Sequence, residues 1–367
     1  KHSKPRIAYI SGDFHDHATM HLMAGVFENQ DNNKFEYHAF SYSKKSDNSD
    51  ISKRVKKSFN NFYNVKDYSD EKIADFLDEL EIDIAVDLKG YTYGTRIDVL
   101  AHRPSPIQIS YLGHPGTTGT RYIDHLLLDD FIVTEENKKL FTENIIKLKG
   151  CYQCTDDKRV LPEINSRKKY GLPENKFIFC SFNNTYKIQP EIFKVWMEIL
   201  KEKEDSVLWL LDNNVSVKNN LIDVANINGI ESDRLIFSER IPNSEHLQRQ
   251  MCADLFLDTF PICAHTTAND ALWVGLPLVT MSGKSMVSRV AGSLLKNIGM
   301  EELITYTLTE YKEKILYLSK NEEELKKVKN KIIENRLKKP LFRTNDFVRD
   351  LENKYEELFN NFKNQNN

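Results

Sequence analysis

The sequence predicts an α/β protein of two doubly wound, Rossmann-like halves facing each other across a cleft. Three observations predict it. Short apolar runs alternate with longer amphipathic stretches, the rhythm of crossover units on a mostly parallel sheet. A polar stretch with Pro162 and Pro173 breaks that rhythm, which then restarts. The length, 367 residues, suits two domains.

In chain order, Arg6–Ser11 reads as a buried strand and His17–Phe27 as a helix. Phe35–Tyr42 is a second strand. Asp70–Glu79 is a helix whose Ile73, Phe76 and Leu77 follow the i, i+3, i+4 spacing. Ile82–Leu88 is a strand ended by Gly90, and Ile107–Leu112 another ended by Gly113. His125–Leu128 and Ile145–Leu148 follow. Cys151–Pro173 reads as the inter-domain linker. Beyond it, Phe177–Phe182 is a strand, and Pro190–Glu202 a helix with proline at its start and one apolar face. Val207–Leu211 is a strand and Leu221–Ala225 part of a helix. Leu235–Phe237, Leu255–Leu257 and Leu278–Met281 are strands. Lys320–Arg336 reads as one charged helix and Asp346–Phe359 as a last amphipathic one. Asn360–Asn367 reads as a solvated end. The domains are expected at residues 1–155 and 156–340, with 341–367 forming a C-terminal helix that packs back on the first.

Composition excludes several classes. Lys plus Arg is 51 against 54 for Asp plus Glu, a formal charge of −3. Without a basic excess, a general nucleic-acid binder is not expected. Hydrophobic residues at 40% and aromatics at 11% argue for a folded core and against disorder. No apolar run is long enough to span a membrane. Five cysteines, an odd and sparse set, fit a reducing compartment and a cytoplasmic location. Cys151 and Cys154 form a lone CxxC with no second pair, so two ordinary thiols are favoured over zinc. No leader is visible ahead of the first strand, and the first residue, Lys1, is not Met, which fits a piece of a longer chain.

In doubly wound sheets, ligands sit beyond the carboxyl ends of the strands. Asp258–Asp270 (DTFPICAHTTAND) runs from a strand through a loop into a helix. Ala264, His265, Thr266 and Thr267 lie where backbone N–H groups and hydroxyls can meet an anion. The plainer reading makes Thr266 or Thr267 a simple N-cap. Asp270 could close a capping box or face ribose hydroxyls. Phe182–Pro190 (FNNTYKIQP) is again strand, polar loop, helix, and Lys187 is suited to a phosphate, although a surface lysine is the commoner case. Two such loops in one domain argue for a diphosphate. Gly283–Lys284–Ser285 is no P-loop, because position 278 is Leu, and no GxGxxG follows a strand.

The first half has its own turns. Ser11–His21 carries His15, His17 and His21. HxxxH without HExxH is a weak metal signal, so one histidine acting at the cleft is favoured over a metal site. Leu88–Thr95 and Tyr111–Gly119 are glycine-rich turns that let backbone approach a ligand, or are ordinary tight turns. Asp83 and Asp87 share a strand face, as a carboxylate pair or, by preference, as the polar side of a half-covered strand.

Together these segments resemble the catalytic region of O-linked N-acetylglucosaminyltransferases. The match runs collinearly from Pro5 to Phe359 through YISGDFHDH, DLKGYTYGTR, RPSPIQISYLGHPGTTG, YGLPENKFIFCSFNNTYKIQP, SVLWLL, RIPNSEHLQR, LDTFPICAHTTANDALWVGLPLVTMSGKSMVSRVAGSLL and LFRTNDF. The resemblance implies a GT-B fold. It implies inverting, metal-independent transfer of N-acetylglucosamine from UDP-N-acetylglucosamine to Ser or Thr hydroxyls of protein, with no cofactor. The first domain would be the acceptor side and the second the nucleotide-sugar side. His17 would sit at the sugar and acceptor. Thr92 and Gly113 would line the sugar pocket, with His114 and Pro115 also on the nucleotide-sugar. Asn184 and Lys187 would meet the diphosphate, Lys187 stabilising the leaving group. His246 would pack against uracil. His265, Thr266 and Thr267 would hold the phosphates, and Asp270 the ribose.

The chain resembles a bacterial-type form, because the large insert of the animal enzymes is missing between the halves. An acidic residue once proposed as base in that family falls on Leu80, and a nearby family histidine on Asp83. His17, a water chain or a phosphate oxygen remain as the base. The N-terminal helical repeats that choose substrates in the animal enzymes are absent from this stretch and would precede Lys1 in a longer product. Alternatives are a protein O-fucosyltransferase using GDP-fucose, another hexose donor, a sugar-nucleotide epimerase, or an inactive nucleotide-sugar-binding module. The retained Ser288–Ala291 run (SRVA) and His265 favour the UDP-N-acetylglucosamine reading, and the intact Lys187 and His265–Thr267 set argues against inactivity. Neither nucleic acid nor membrane is expected as a partner.

Overall fold

A chain that crosses back over the sheet before its next strand returns parallel. Every strand pair of this protein is parallel, with α-helical crossovers except between the four strands of residues 84–148. The computed structural model describes residues 2, 4–45 and 47–365. It divides into two compact units, residues 1–158 with 340–367, and residues 159–339.

The first unit begins with β1 (Arg6–Ser11), α1 (Ala18–Glu28), β2 (Glu36–Ser41), α2 (Asp50–Lys57), β3 (Asn61–Asn64) and α3 (Asp70–Glu79). It continues through β4 (Ile84–Asp87), β5 (Ile107–Ser110), β6 (His125–Asp129) and β7 (Asn144–Leu148). The order is β3-β2-β1-β4-β5-β6-β7. All neighbours are parallel, with Ile7 opposite both Tyr37 and Ile84. The order reverses between β1 and β4, the switch point at which such sheets open a crevice.

The second unit runs β8 (Phe177–Ser181), α4 (Pro190–Glu202), β9 (Ser206–Leu211), α5 (Val215–Ile227), β10 (Leu235–Ser238), α6 (Asn243–Gln250), β11 (Leu255–Leu257) and α7 (Thr266–Trp273). Then come β12 (Leu278–Met281), α8 (Val290–Asn297), β13 (Ile304–Thr305), α9 (Leu308–Lys320) and α10 (Glu322–Asn335). The order is β10-β9-β8-β11-β12-β13, and the switch point lies between β8 and β11. Trp196, Trp209, Phe179, Phe256 and Tyr311 are fully buried here. The last helix, α11 (Thr344–Gln365), belongs to the first unit. Its Tyr355 hydroxyl lies 3.2 Å from that of Tyr9, and its Glu352 accepts from the Tyr37 hydroxyl at 3.0 Å.

Several local expectations are corrected. The stretch read as a linker is not free at its start: Cys151–Asp156 are all buried in the first unit, the Tyr152 carbonyl accepts from the Tyr111 hydroxyl, and Asp156 is bound by Arg54. Thr155 and Asp156 find their partners inside the fold, Thr155 donating its hydroxyl to the Leu341 carbonyl at 2.6 Å. The charged stretch read as one helix is the end of α9 and all of α10, separated at Asn321. Neither α2 nor β3 was legible: α2 buries only Ser52 and Val55, so its pattern is almost all polar, and β3 is a four-residue edge strand. The tail is helical to Gln365, and residues 366 and 367 lie outside the described residues. Asp83 and Asp87 are neither a pair nor a polar face. Asp83 precedes β4 and accepts from the Arg6 backbone N–H at 2.8 Å, while Asp87 is buried and accepts from the backbone of Lys89 and Gly90.

Candidate active site

In the first unit, the loops after β1 and β4 meet at the switch point. The β1 loop ends at His17, the N-cap of α1, whose Nδ1 accepts the Thr19 backbone N–H at 3.2 Å. That contact requires an unprotonated Nδ1. Burial holds the His17 imidazole below its ordinary value, against the pull of the Asp13 carboxylate 3.6 Å away. Lys89 reaches Asp13 from the other loop, donating to both carboxylate oxygens at 2.9 and 2.8 Å. Both partners are buried, and a buried charge pair is retained only where each side is well satisfied. His15 Nδ1 lies 3.2 Å from Ser43 Oγ, and His21 pairs with Asp16 at 2.7 Å.

The two glycine-rich turns interlock. Gly90 has φ +53, and a Cβ there would stand 2.4 Å from the His114 Cβ. A Cβ on Gly113 would stand 2.2 Å from the Leu88 carbonyl oxygen. Only glycine allows this approach. Asp87 fastens the first turn by accepting from the Gly90 N–H at 2.6 Å, and burial pushes its carboxyl up to about 6. Thr92 donates its hydroxyl to the Lys89 carbonyl at 3.0 Å. His114 and Pro115 lie half-buried on the second turn, with the His114 imidazole held low by burial.

In the second unit, the loops after β8 and β11 converge on Asp258. Its Oδ1 accepts from the Thr259 and Ala264 N–H groups at 2.8 and 2.7 Å and from Asn183 Nδ2 at 3.0 Å. Its Oδ2 accepts from the Thr280 hydroxyl at 2.6 Å. Asn183 in turn accepts from the Thr267 hydroxyl at 2.5 Å. This buried network shapes the loop that enters α7. The N-cap of α7 is His265, without a side-chain cap bond, so neither threonine is the cap and Asp270 closes no capping box. Thr266 and Thr267 open the helix half-buried, where first-turn N–H groups lack intrahelical partners.

Lys187 donates from Nζ to the Cys263 carbonyl at 3.0 Å, two residues before that cap. Burial lowers its pKa. His265 Nε2 lies 3.3 Å from the Val287 carbonyl, and burial, then the Lys187 charge, push its pKa down to about 3. His265 is thus neutral at pH 7, and Lys187 is the cation at this corner. Asn184 accepts from Asn213 Nδ2 at 3.0 Å.

His246 stands edge-on to Phe182, with centroids 5.2 Å apart. Arg249 donates from Nε to His246 Nδ1 at 3.0 Å and from Nη1 to the Glu239 carbonyl at 2.7 Å, while its guanidinium lies 4.6 Å from the Phe182 centroid. Burial, foremost, lowers His246 to about 4 and Arg249 to about 10. Asp270 is buried and bonded to Arg159, which also donates to Asn269 Oδ1 at 2.8 Å.

The structure therefore gathers His17, Thr92, Gly113, His114 and Pro115 on the first unit's loops. Asn184, Lys187, His246, His265, Thr266, Thr267 and Asp270 fall on the second unit's. Asp13, Lys89, Asp258, Arg159 and Arg249 escaped the sequence reading. Lys89 carried a signal, a lysine just past the apolar strand IAVDL. Arg249 carried none, since α6 is mostly polar and buries only Leu247, Arg249 and Gln250. Among the described residues, no group of three or more His, Cys, Asp or Glu side chains could hold a metal ion, none of the cysteines is disulfide-bonded, and no helix is long and apolar enough to cross a membrane.

Comparison with known proteins gives a consistent picture. Residues 1–168 and 163–351 match the model of glycosyl transferase family 41. SEC of Arabidopsis thaliana, named as a probable UDP-N-acetylglucosamine–peptide N-acetylglucosaminyltransferase, is 38% identical over 97% of this chain and 37% of its own length. A UDP-N-acetylglucosamine–peptide N-acetylglucosaminyltransferase of Caenorhabditis elegans is 26% identical over 95% of this chain and 40% of its own. The chain thus spans about two fifths of these relatives. The O-GlcNAc transferase of Thermobaculum terrenum, solved as a mutant, superposes with a TM-score of 0.92 at 25% identity, covering all of this chain and 69% of that one. Both units share the GT-B architecture of such transferases.

Proposed function

The chain belongs to glycosyl transferase family 41, and we propose that it moves N-acetylglucosamine from UDP-N-acetylglucosamine to Ser or Thr hydroxyls of protein, with inversion and without a metal. The observation that carries the reading is Lys187. Its ammonium is half-buried, it is bonded to a carbonyl rather than a carboxylate, and it stands beside the opening of α7. That is a cation partly desolvated in advance for an anion.

The second unit holds the nucleotide. His246, fixed by Arg249 with Nδ1 as acceptor, supports the uracil; Asp270, held by Arg159, meets the ribose; Asn184, His265, Thr266 and Thr267 join Lys187 at the diphosphate. On the first unit, Thr92, Gly113, His114 and Pro115 line the sugar, and His17 lies on the acceptor side. The acceptor oxygen bonds to the anomeric carbon as the bond to the diphosphate breaks. The hydroxyl proton leaves to a water chain, a phosphate oxygen or His17, which takes it at Nδ1 in exchange for the Thr19 N–H, and the charge gathering on the diphosphate is met by Lys187 and the first turn of α7. The reading places the protein in the cytoplasm, in keeping with cysteines that form no disulfide.

The test is incubation with UDP-N-acetylglucosamine, UDP-glucose or GDP-fucose and a Ser/Thr peptide, read by mass spectrometry. One N-acetylhexosamine added from the first donor is expected. Addition of a hexose or deoxyhexose instead, or release of free sugar with the peptide unchanged, would replace the reading.

A further inference from the structure

Beyond the candidate site, the first unit carries a pocket of about 330 Å³ at the carboxyl ends of β1, β2 and β3. Its floor is aromatic: Phe14 and Phe62 meet edge to face with centroids 5.4 Å apart. Its rim is basic. Lys44, Lys45, Lys56 and Lys66 line it and are exposed, against a single carboxylate, Asp47. Among the described residues none of the four lysines has a carboxylate within 4 Å, although the chain carries a net charge of −3. Lys56 lies 5.9 Å from the Phe62 centroid, so its position is shared with the floor.

The pocket is joined to the loop that ends at His17. Ser43 in its wall lies 3.2 Å from His15 Nδ1, and Asp47 accepts the Asp16 N–H at 2.5 Å. The His15 and His17 rings are 5.6 Å apart. We propose that this pocket receives an acidic side chain of the acceptor polypeptide, Asp or Glu near the modified hydroxyl, so that the protein prefers acidic acceptors. The inference rests on the protein-acceptor part of the proposed function. An aromatic floor receives the aliphatic stem of such a residue, and the rim lysines donate to its carboxylate. A nucleic acid or a lipid surface would need a broad basic field, which the overall charge does not supply.

The test is direct binding, measured by fluorescence anisotropy at low salt. The probes are a fluorescein-labelled Ser-containing peptide rich in Glu and its Gln counterpart, with a single-stranded oligonucleotide and phosphatidylserine vesicles in parallel. The Glu peptide is expected to bind about threefold to tenfold more tightly, the range of two exposed charge contacts, and to lose the advantage as salt is raised. The preference should vanish in the Lys56→Gln/Lys66→Gln variant and return in Lys56→Arg/Lys66→Arg. Equal binding of the two peptides overturns the proposal. So does a Glu preference that survives the Gln variant, or tighter binding of the oligonucleotide or the vesicles. Because binding is read without turnover, a peptide that binds through these lysines but receives no sugar counts against the proposed function alone.

Discussion

Lys89 donates to both carboxylate oxygens of Asp13 in a buried pair that ties the loop after β4 to the loop after β1. The same carboxylate stands 3.6 Å from His17 Nδ1, so the pair sets the surroundings of that histidine. Removing one partner leaves the other charge buried and alone. Lys89→Met is expected to cost about 3–5 kcal/mol of stability, read from urea unfolding, whereas Lys89→Met with Asp13→Leu should recover much of it. Equal loss in the single and double variants would show that the pairing is not the source.

Lys187→Ala should fold normally and lose about 10²–10³ in turnover, the usual cost of one transition-state donor. Turnover near the wild-type value with UDP-N-acetylglucosamine bound would remove Lys187 from the mechanism.

Addition of EDTA should leave turnover unchanged if, as proposed, the Lys187 ammonium and the opening of α7 meet the diphosphate in place of a divalent cation. Loss of activity on chelation, restored by magnesium, would show that these groups do not suffice.

The histidines His246 and His265 make stability fall with acid. His246 and His265 have folded-state values of about 4 and about 3, below the usual 6.5. Their stabilising contribution is complete above about 6.5 and is lost as pH falls toward those values, because the unfolded chain takes up the protons first. Asp87 and Asp258, raised to about 6, act in the opposite sense between about 4 and 6. His246→Gln should therefore flatten the fall of stability with acid, seen as a smaller drop in the urea midpoint from pH 6.5 to 4. An unchanged drop would contradict a His246 held neutral in the fold.

Gly113→Ala would place a Cβ 2.2 Å from the Leu88 carbonyl oxygen, a backbone atom that cannot swing aside. A loss of about 1–3 kcal/mol is expected, together with weaker donor binding by calorimetry. An unchanged melting temperature would mean that the two turns are not interlocked in solution.

Much of the architecture was legible because burial leaves periodic traces. The apolar strands Arg6–Ser11 and Phe177–Ser181 and the one-sided helix Pro190–Glu202 carry their positions in their spacing. Elements that bury little, such as α2, left no such trace. The loops that carry His17, Lys187 and His265 were identifiable from strand, turn and helix-start residues. Their supporting groups were not, because Asp13 and Lys89 are 76 residues apart, as are Asn183 and Thr259.

The sequence by itself determined most of the strands and the strongly one-sided helices, where the rhythm breaks, and which turns are rich in hydroxyls, histidine and glycine. These are local properties of spacing and side-chain type. Only the tertiary structure decided that Asp270 is held by Arg159, that His246 offers Arg249 its Nδ1, and that Lys187 ends on a carbonyl. The physical reason is that a charge's role depends on what surrounds it after water is removed, and those surroundings come from distant parts of the chain.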